Sequence, residues 1–264
     1  MSDETNDRTV GYPRAAPQGA ASGAFEVHDV EWNPQKIARF WNWYSSQPDK
    51  ADTYWSKQFG AQLLSRVSKH VPLEGTIIDY GCGRGFLLQH LAKVAPEARL
   101  FAADSSAESV AHVARLFEGN PAFRAAHVLH ELPSDLPGDA FSVVFCLEAI
   151  EHLLPDAIDG ELTELHRITA PGGVVVVTTP NDEALRAPSV LCPDCGAVFH
   201  PVQHLSSWTS KRLSEQMGAY GFRELVCEAT NLSSPALRAR SAVARLIGRG
   251  GPDPHLLYLG RKER

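Results

Sequence analysis

No run of 18 apolar residues occurs anywhere in the 264-residue chain, so no segment reads as a membrane-spanning helix. Positive charge is not in excess either: 25 Lys and Arg face 31 Asp and Glu, for a net charge of −6 at pH 7. A sequence-independent grip on a phosphate backbone needs a basic face, so nucleic acid is not an expected partner. The five cysteines are an odd set, and Cys82, Cys146 and Cys227 sit in apolar or glycine-rich surroundings, unlike a disulfide framework. The opening stretch MSDETNDRTV lacks the basic and then apolar order of a secretory signal. No internal repeat is present. These absences lead us to expect a protein of the reducing cytoplasm. Its hydrophobic content of 44% is enough for one large α/β domain or two small ones.

Residues 1–24 are rich in Ala, Gly, Pro and Ser and are expected to form a disordered tail. Residues 25–72 differ, because they hold Trp32, Trp41, Trp43 and Trp55, four of the five tryptophans. Helical spacing in QFGAQLLSRVSKHV gives this segment two readings: helices that merely pack on the domain, or a lid over a pocket. From residue 73 strands and helices alternate. TIIDY, ARLFAAD, AAHVLHEL, FSVVFCLEA and VVVVTTP read as strands, separated by helical stretches such as GFLLQHLAKVA and GELTELHRITA. RELVCEAT and HLLYLGRK are the last two expected strands. This alternation predicts an α/β fold, doubly wound around a mostly parallel sheet. VVVVTTP is almost continuously apolar, as a strand covered on both faces should be.

The stretch IIDYGCGRGF joins the first of these strands to its helix. Glycines at 81, 83 and 85 permit positive φ and close approach of a ligand, and the helix behind them offers free N–H groups. Asp79 ends the strand before the turn. Asp104 ends the next strand, 19 residues after Gly85, where a carboxylate can accept from ribose hydroxyls. A pyrophosphate site wants G-x-G-x-x-G, which this loop does not have.

The G-C-G-R-G turn preceded by Asp-Tyr, the acidic end of the second strand, FSVVFCLEAIEHL, and the run ITAPGGVVVVTTPN together resemble the class I S-adenosylmethionine-dependent methyltransferases over about residues 70–230. One departure is Ser142, where the family usually has Asp. The resemblance implies a Rossmann-like seven-stranded sheet with its last strand antiparallel, and S-adenosylmethionine as cofactor. It carries over Asp79, Gly81, Gly83, Gly85 and Asp104 as cofactor contacts. Glu131, in the HELP stretch after the third strand, is the residue offered for the adenine contact.

Ligands of doubly wound sheets collect beyond the carboxyl ends of the strands. Glu148, Glu151 and His152 stand at such an end, in the pattern E-x-x-E-H. Methyl transfer to a hydroxyl needs the acceptor held in line and its proton taken up or its oxygen polarised. A histidine or a cation can do either. E-x-x-E-H resembles the ubiquinone-pathway O-methyltransferases and the small-RNA 2′-O-methyltransferases, whose glutamates and histidine bind a divalent metal. In the RNA family a further histidine lies four residues before a Trp-Thr pair, as His204 does before Trp208-Thr209. A plainer reading also stands: two carboxylates opening a helix, where the dipole favours them.

Residues 192–204, CPDCGAVFHPVQH, form part of a short Cys/His loop insertion over 182–208. Cys192, Cys195, His200 and His204 have the spacing of a zinc knuckle, and two thiolates with two imidazoles suit a closed structural Zn²⁺ site. His204 cannot serve this site and the Glu/His site at once, so three outcomes stay open: zinc on all four, zinc on the cysteines with one histidine and an outside ligand, or no metal. The basic segment 235–250, inside an insertion over 232–254, reads as a surface helix or as a peripheral membrane contact. The sequence is thus read as a methyltransferase acting on a hydroxyl of a small or lipid-linked acceptor. An RNA-terminal 2′-O-methyltransferase and a non-catalytic S-adenosylmethionine- or zinc-binding partner protein are the alternatives.

Overall fold

The computed structural model describes residues 25–233 and 253–263. The tail assigned to 1–24 and nearly all of the basic insertion, including 235–250, lie outside the described residues. In chain order the elements are β1 (His28–Asp29), α1 (Pro34–Ser46), a 3₁₀ turn (Pro48–Thr53), α2 (Trp55–Val67), β2 (Thr76–Tyr80), α3 (Phe86–Val94), β3 (Arg99–Asp104) and α4 (Ala107–Leu116). There follow β4 (Phe123–Val128), β5 (Phe141–Leu147), a 3₁₀ turn (Ile150–His152), α5 (Ile158–Ile168), β6 (Thr169–Pro180), β7 (Val190–Leu191), β8 (Ala197–Phe199), α6 (Ser210–Ala219), β9 (Phe222–Thr230) and β10 (His255–Lys262).

The main sheet has seven strands in the order β4-β3-β2-β5-β6-β10-β9. Strands β2 to β6 are mutually parallel, and β10 runs antiparallel to both of its neighbours. The expected sheet, with its last strand reversed, is therefore present. Buried residues line both faces. Leu63, Leu87, Leu91, Val143 and Val176 lie in one core cluster, and Val144, Ile158, Leu165, Val175 and Trp208 in the other. The four valines Val174–Val177 are at most 1% exposed, which is why that strand carried no polar/apolar alternation.

Local chemistry explains the helix starts that bear on the site. Asn33 caps α1 by accepting from the Lys36 amide (2.9 Å), with Pro34 at the first helical position. Ser106 caps α4, and Thr209 caps α6. The strand order reverses between β2 and β5, so the carboxyl ends of these two strands flank the switch point at which open α/β sheets bind ligands.

A second, three-stranded sheet, β1-β8-β7, is absent from the sequence reading. It fastens the chain ahead of α1 to the Cys/His loop through His28–Ala197 and Asp29–Val198 pairing. Gly196, at φ +81°, is required there, since a Cβ would lie 2.1 Å from the Glu26 carbonyl oxygen. Among the described residues no helix is long and apolar enough to cross a membrane.

Candidate active site

The turn between β2 and α3 is built from left-handed glycines: φ is +82° at Gly81, +48° at Gly83 and +75° at Gly85. The Gly83 amide donates to Asp104 Oδ2 (2.8 Å), and the Ser106 amide donates to Asp104 Oδ1 (2.8 Å). Asp104 is thus oriented by two backbone donors at the end of β3. Asp79 is 3% exposed, and its carboxyl is pushed up to about 8, first by burial and then by the nearby Asp104. Burial also raises Asp104. Two buried acids with no side-chain cation among their hydrogen-bond partners suit a ligand that brings a cation and hydroxyl donors. The ammonium and ribose of S-adenosylmethionine are such groups, and an open turn without a phosphate-binding pattern suits its methionine portion. Glu131 is exposed in the loop after β4.

Helix α1 lies over this turn. Arg84 Nη1 donates to the Ser45 carbonyl (2.7 Å), the Ser106 hydroxyl donates to Asn42 Oδ1 (3.2 Å), and the Tyr54 ring sits where a Cβ on Gly83 would come within 3.0 Å. Trp41 reaches further, placing its ring 4.8 Å from that of His152. Helix α2, by contrast, packs into the core beside α3. Helix α1 thus contacts the glycine turn, while α2 sends Leu63, Leu64 and Val67 into the core.

Beyond β5 the chain turns sharply, with Glu148 at φ +47°. Among the described residues, three of the four non-glycine residues with positive φ, Glu148, Asp182 and Gln203, stand in or beside this part of the molecule. Such backbone persists only where its surroundings over-determine it, and it gathers at functional sites. Glu151 is fully buried. Its Oε2 accepts from the Thr179 hydroxyl (2.9 Å), while its Oε1 has no hydrogen-bond partner and lies 3.9 Å from His152 Nε2. Burial, then the neighbouring Glu148, raises the Glu151 carboxyl well above the carboxylate range. His152 is pushed down to about 3, mainly by burial and next by His204, so it stays a neutral imidazole at ordinary pH. That makes it a lone-pair donor and a weak proton acceptor.

Donor atoms of Glu151, His152 and His204 all lie within 4.8 Å of one another, and so do those of Glu183, His200 and His204. Glu148 stays apart from both groups. Its Oε2 is 3.3 Å from His255 Nδ1, and its Oε1 is buried without a partner. The orphaned oxygens of Glu148 and Glu151 near the neutral His152 imidazole fit a divalent cation.

The structure gives the zinc-knuckle expectation no support. Among the described residues no converging donor group includes a thiol. Cys192 and Cys195 turn at the tip of the β7–β8 hairpin, held by the Cys192 amide on the Ala197 carbonyl (2.8 Å) and the Gly196 amide on the Cys192 carbonyl (2.9 Å). Strand β8 carries the chain away from that tip, and Glu183 draws both His200 and His204 to itself. The four residues therefore form no closed Cys₂His₂ site, and His204 turns towards Glu151 and His152.

Three contributors escaped the sequence reading. Gln203, fully buried at φ +60°, accepts from Trp41 Nε1 (2.7 Å) and donates from Nε2 to the His152 carbonyl (2.9 Å). His255, from the far end of the chain, meets both Glu148 and Trp55 Nε1 (3.2 Å). Glu183 stands just past β6, where an acid at a strand's carboxyl end is a signal that could have been used.

The sequence profile described as "Methyltransferase domain" matches residues 53–228, more than half of the chain. The chain belongs to the methyltransferase-domain family. As a class I S-adenosylmethionine-dependent methyltransferase domain it is similar to a ubiquinone biosynthesis O-methyltransferase of Cereibacter sphaeroides, 29% identical over 161 residues, which is 60% of this chain and 62% of the relative. The chain thus spans less than two thirds of that relative's length. A probable S-adenosylmethionine-dependent methyltransferase of Mycolicibacterium smegmatis is 36% identical over 131 residues, 49% of this chain and 47% of that one. Among solved structures, the methyltransferase domain shares its fold with the Burkholderia thailandensis 1,6-didemethyltoxoflavin-N1-methyltransferase, which was solved with S-adenosylhomocysteine. The TM-score is 0.61 at 17% identity, covering 90% of this chain and 94% of the other.

Proposed function

We propose that the protein transfers a methyl group from S-adenosylmethionine to a hydroxyl of a small or lipid-linked acceptor. The observation that carries this reading is the cluster of buried Glu151 with half-buried His152 and His204 beyond β5, on the cofactor side of the sheet, with Trp41 against His152. When bound, S-adenosylmethionine supplies an electrophilic methyl on a sulfonium. The chain's own residues would do the rest: Asp79 and Asp104 hold the cofactor, α1 excludes water, and the Glu/His cluster orients the acceptor and polarises its hydroxyl. A divalent cation, held by Glu151, His152 and His204 with Glu148 at hand, would lower the pKa of that hydroxyl. The resemblance to ubiquinone-pathway enzymes favours oxygen as the acceptor atom.

The convergence of His204 with Glu151 and His152 also supports the RNA-terminal alternative, since that family's further histidine was matched to His204. The net charge of −6 weighs against it. Labelled methyl transfer from S-adenosylmethionine into an extract of metabolites and lipids, with short RNA in parallel, tests the choice. Label in a methyl ether of a small or lipid-linked product supports the proposal. Label in RNA alone, or in an N-methyl product alone, refutes it.

A further inference from the structure

Glu183 takes no part in the proposed function, yet its surroundings are tightly built. It follows Asp182, whose amide donates to the Trp208 carbonyl (2.8 Å), and an Asn181–Trp208 bridge anchors the same stretch. The carboxylate contacts an edge nitrogen of each of two imidazoles. Its Oε2 is 2.5 Å from His204 Nδ1, and its Oε1 is 3.3 Å from His200 Nε2. The two rings stack at 4.4 Å with 14° between their planes. His200 is 6% exposed, and its Nδ1 accepts the amides of His204 (3.2 Å) and Val202 (3.4 Å).

Protons can be placed from these contacts. A ring nitrogen that accepts backbone N–H groups carries no proton, so neutral His200 is protonated on Nε2, the side facing Glu183. At 3.3 Å that contact is an ion-pair approach and not a formed hydrogen bond, and Nε2 has no other partner, so His200 supports the carboxylate by charge and its neighbour by stacking. At His204 a carboxylate at hydrogen-bond distance selects the Nδ1–H tautomer. The bare nitrogen is then Nε2. Glu183, His200 and His204 also satisfy the distances for a cation. A metal on His200 Nε2, however, would push the ring proton onto Nδ1, against two backbone donors. The hydrogen-bonded arrangement avoids that conflict.

We infer that Glu183 is a positioning residue, which fixes the Nδ1–H tautomer of His204 and so presents the Nε2 lone pair to the Glu151–His152 side of the site. The tautomer follows from the geometry alone; its consequence for turnover rests on the function proposed above. A carboxylate behind a working histidine is a common way to set both ring orientation and basicity, and its loss typically lowers activity by about 10–100-fold.

The test uses the full chain, labelled with ¹⁵N, and long-range proton–nitrogen spectra of the histidine rings, with His204→Gln to assign the signal. The wild type is expected to show His204 protonated on Nδ1 and bare on Nε2, and Glu183→Gln to shift it towards the other tautomer. In turnover, Glu183→Gln is expected to lower kcat by about 10–100-fold while the KM for S-adenosylmethionine stays put, and Glu183→Asp to restore part of the rate. Unchanged cofactor affinity in Glu183→Gln serves as the folding control. A wild-type His204 protonated on Nε2, or a Glu183→Gln protein with the wild-type spectrum, overturns the inference. The spectra need no acceptor, so failure of methyl transfer to hydroxyls would count against the proposed function and leave the tautomer to be judged by itself.

Discussion

Replacing Asp79 by Asn should make the cofactor-free protein more stable near neutral pH, although it deletes a buried residue of the glycine turn. The folded protein holds the Asp79 carboxyl at about 8, against 3.8 when free. Between these values the unfolded chain releases the proton while the folded one keeps it. Unfolding is thereby favoured increasingly as pH rises from about 4 to about 8, and the effect is flat above. At pH 7 the gap spans about three pH units, and at about 1.4 kcal/mol per unit the loss is about 4 kcal/mol. Asparagine cannot ionise, so Asp79→Asn escapes the loss. Urea unfolding from pH 4 to pH 8 is the assay. Wild type and variant should be close at pH 4, and the variant should lead by a few kcal/mol at pH 7. A cofactor ammonium near Asp79 reverses the balance, so the variant should bind S-adenosylmethionine more weakly, and wild-type binding at pH 7 should release a proton. A variant no more stable at pH 7 than at pH 4, relative to wild type, would refute the reasoning.

Asp104→Ala should weaken S-adenosylhomocysteine binding by about 1.5–3 kcal/mol, the worth of hydrogen bonds to a charged group, as read by calorimetry. Trp41→Phe removes only the indole donor and strands the buried oxygen of Gln203. We expect a loss of about 1–3 kcal/mol, seen as faster amide exchange in residues 34–46 and a lower kcat. Cys192 is surface-accessible and its thiol is lowered by the Cys195 and Asp194 amides, whereas burial raises Cys82 and Cys146 well above the usual range. Iodoacetamide at neutral pH should therefore label Cys192 first and leave Cys82 and Cys146 untouched, as mass spectrometry of the peptides will show.

Much of the main sheet was legible because its signals are local and repeated. TIIDY, ARLFAAD and the valine run each announce a buried parallel strand, and the glycines with Asp104 place the turn. The reversed last strand came from the family resemblance, not from periodicity. What escaped depends on contacts between residues far apart in sequence. The β1–β8 pairing joins residues 28–29 to 197–198, too short to leave a pattern. His255 reaches Glu148 only because β10 inserts beside β6. The knuckle expectation goes unsupported for a related reason. Spacing places Cys192, Cys195, His200 and His204 within reach of one another, but it cannot register that Glu183 competes for the imidazoles. Gln203 carries no sequence signal at all, since glutamine at positive φ is not a pattern one can anticipate.

The turn at Gly81–Gly85 is the expected seat of a sulfonium nucleoside. A crystal grown with S-adenosylhomocysteine tests this most directly. The ligand is expected on that turn, with its ribose hydroxyls on Asp104 and its amino group near Asp79. Density elsewhere, or a nicotinamide dinucleotide occupying the turn in its place, would contradict it.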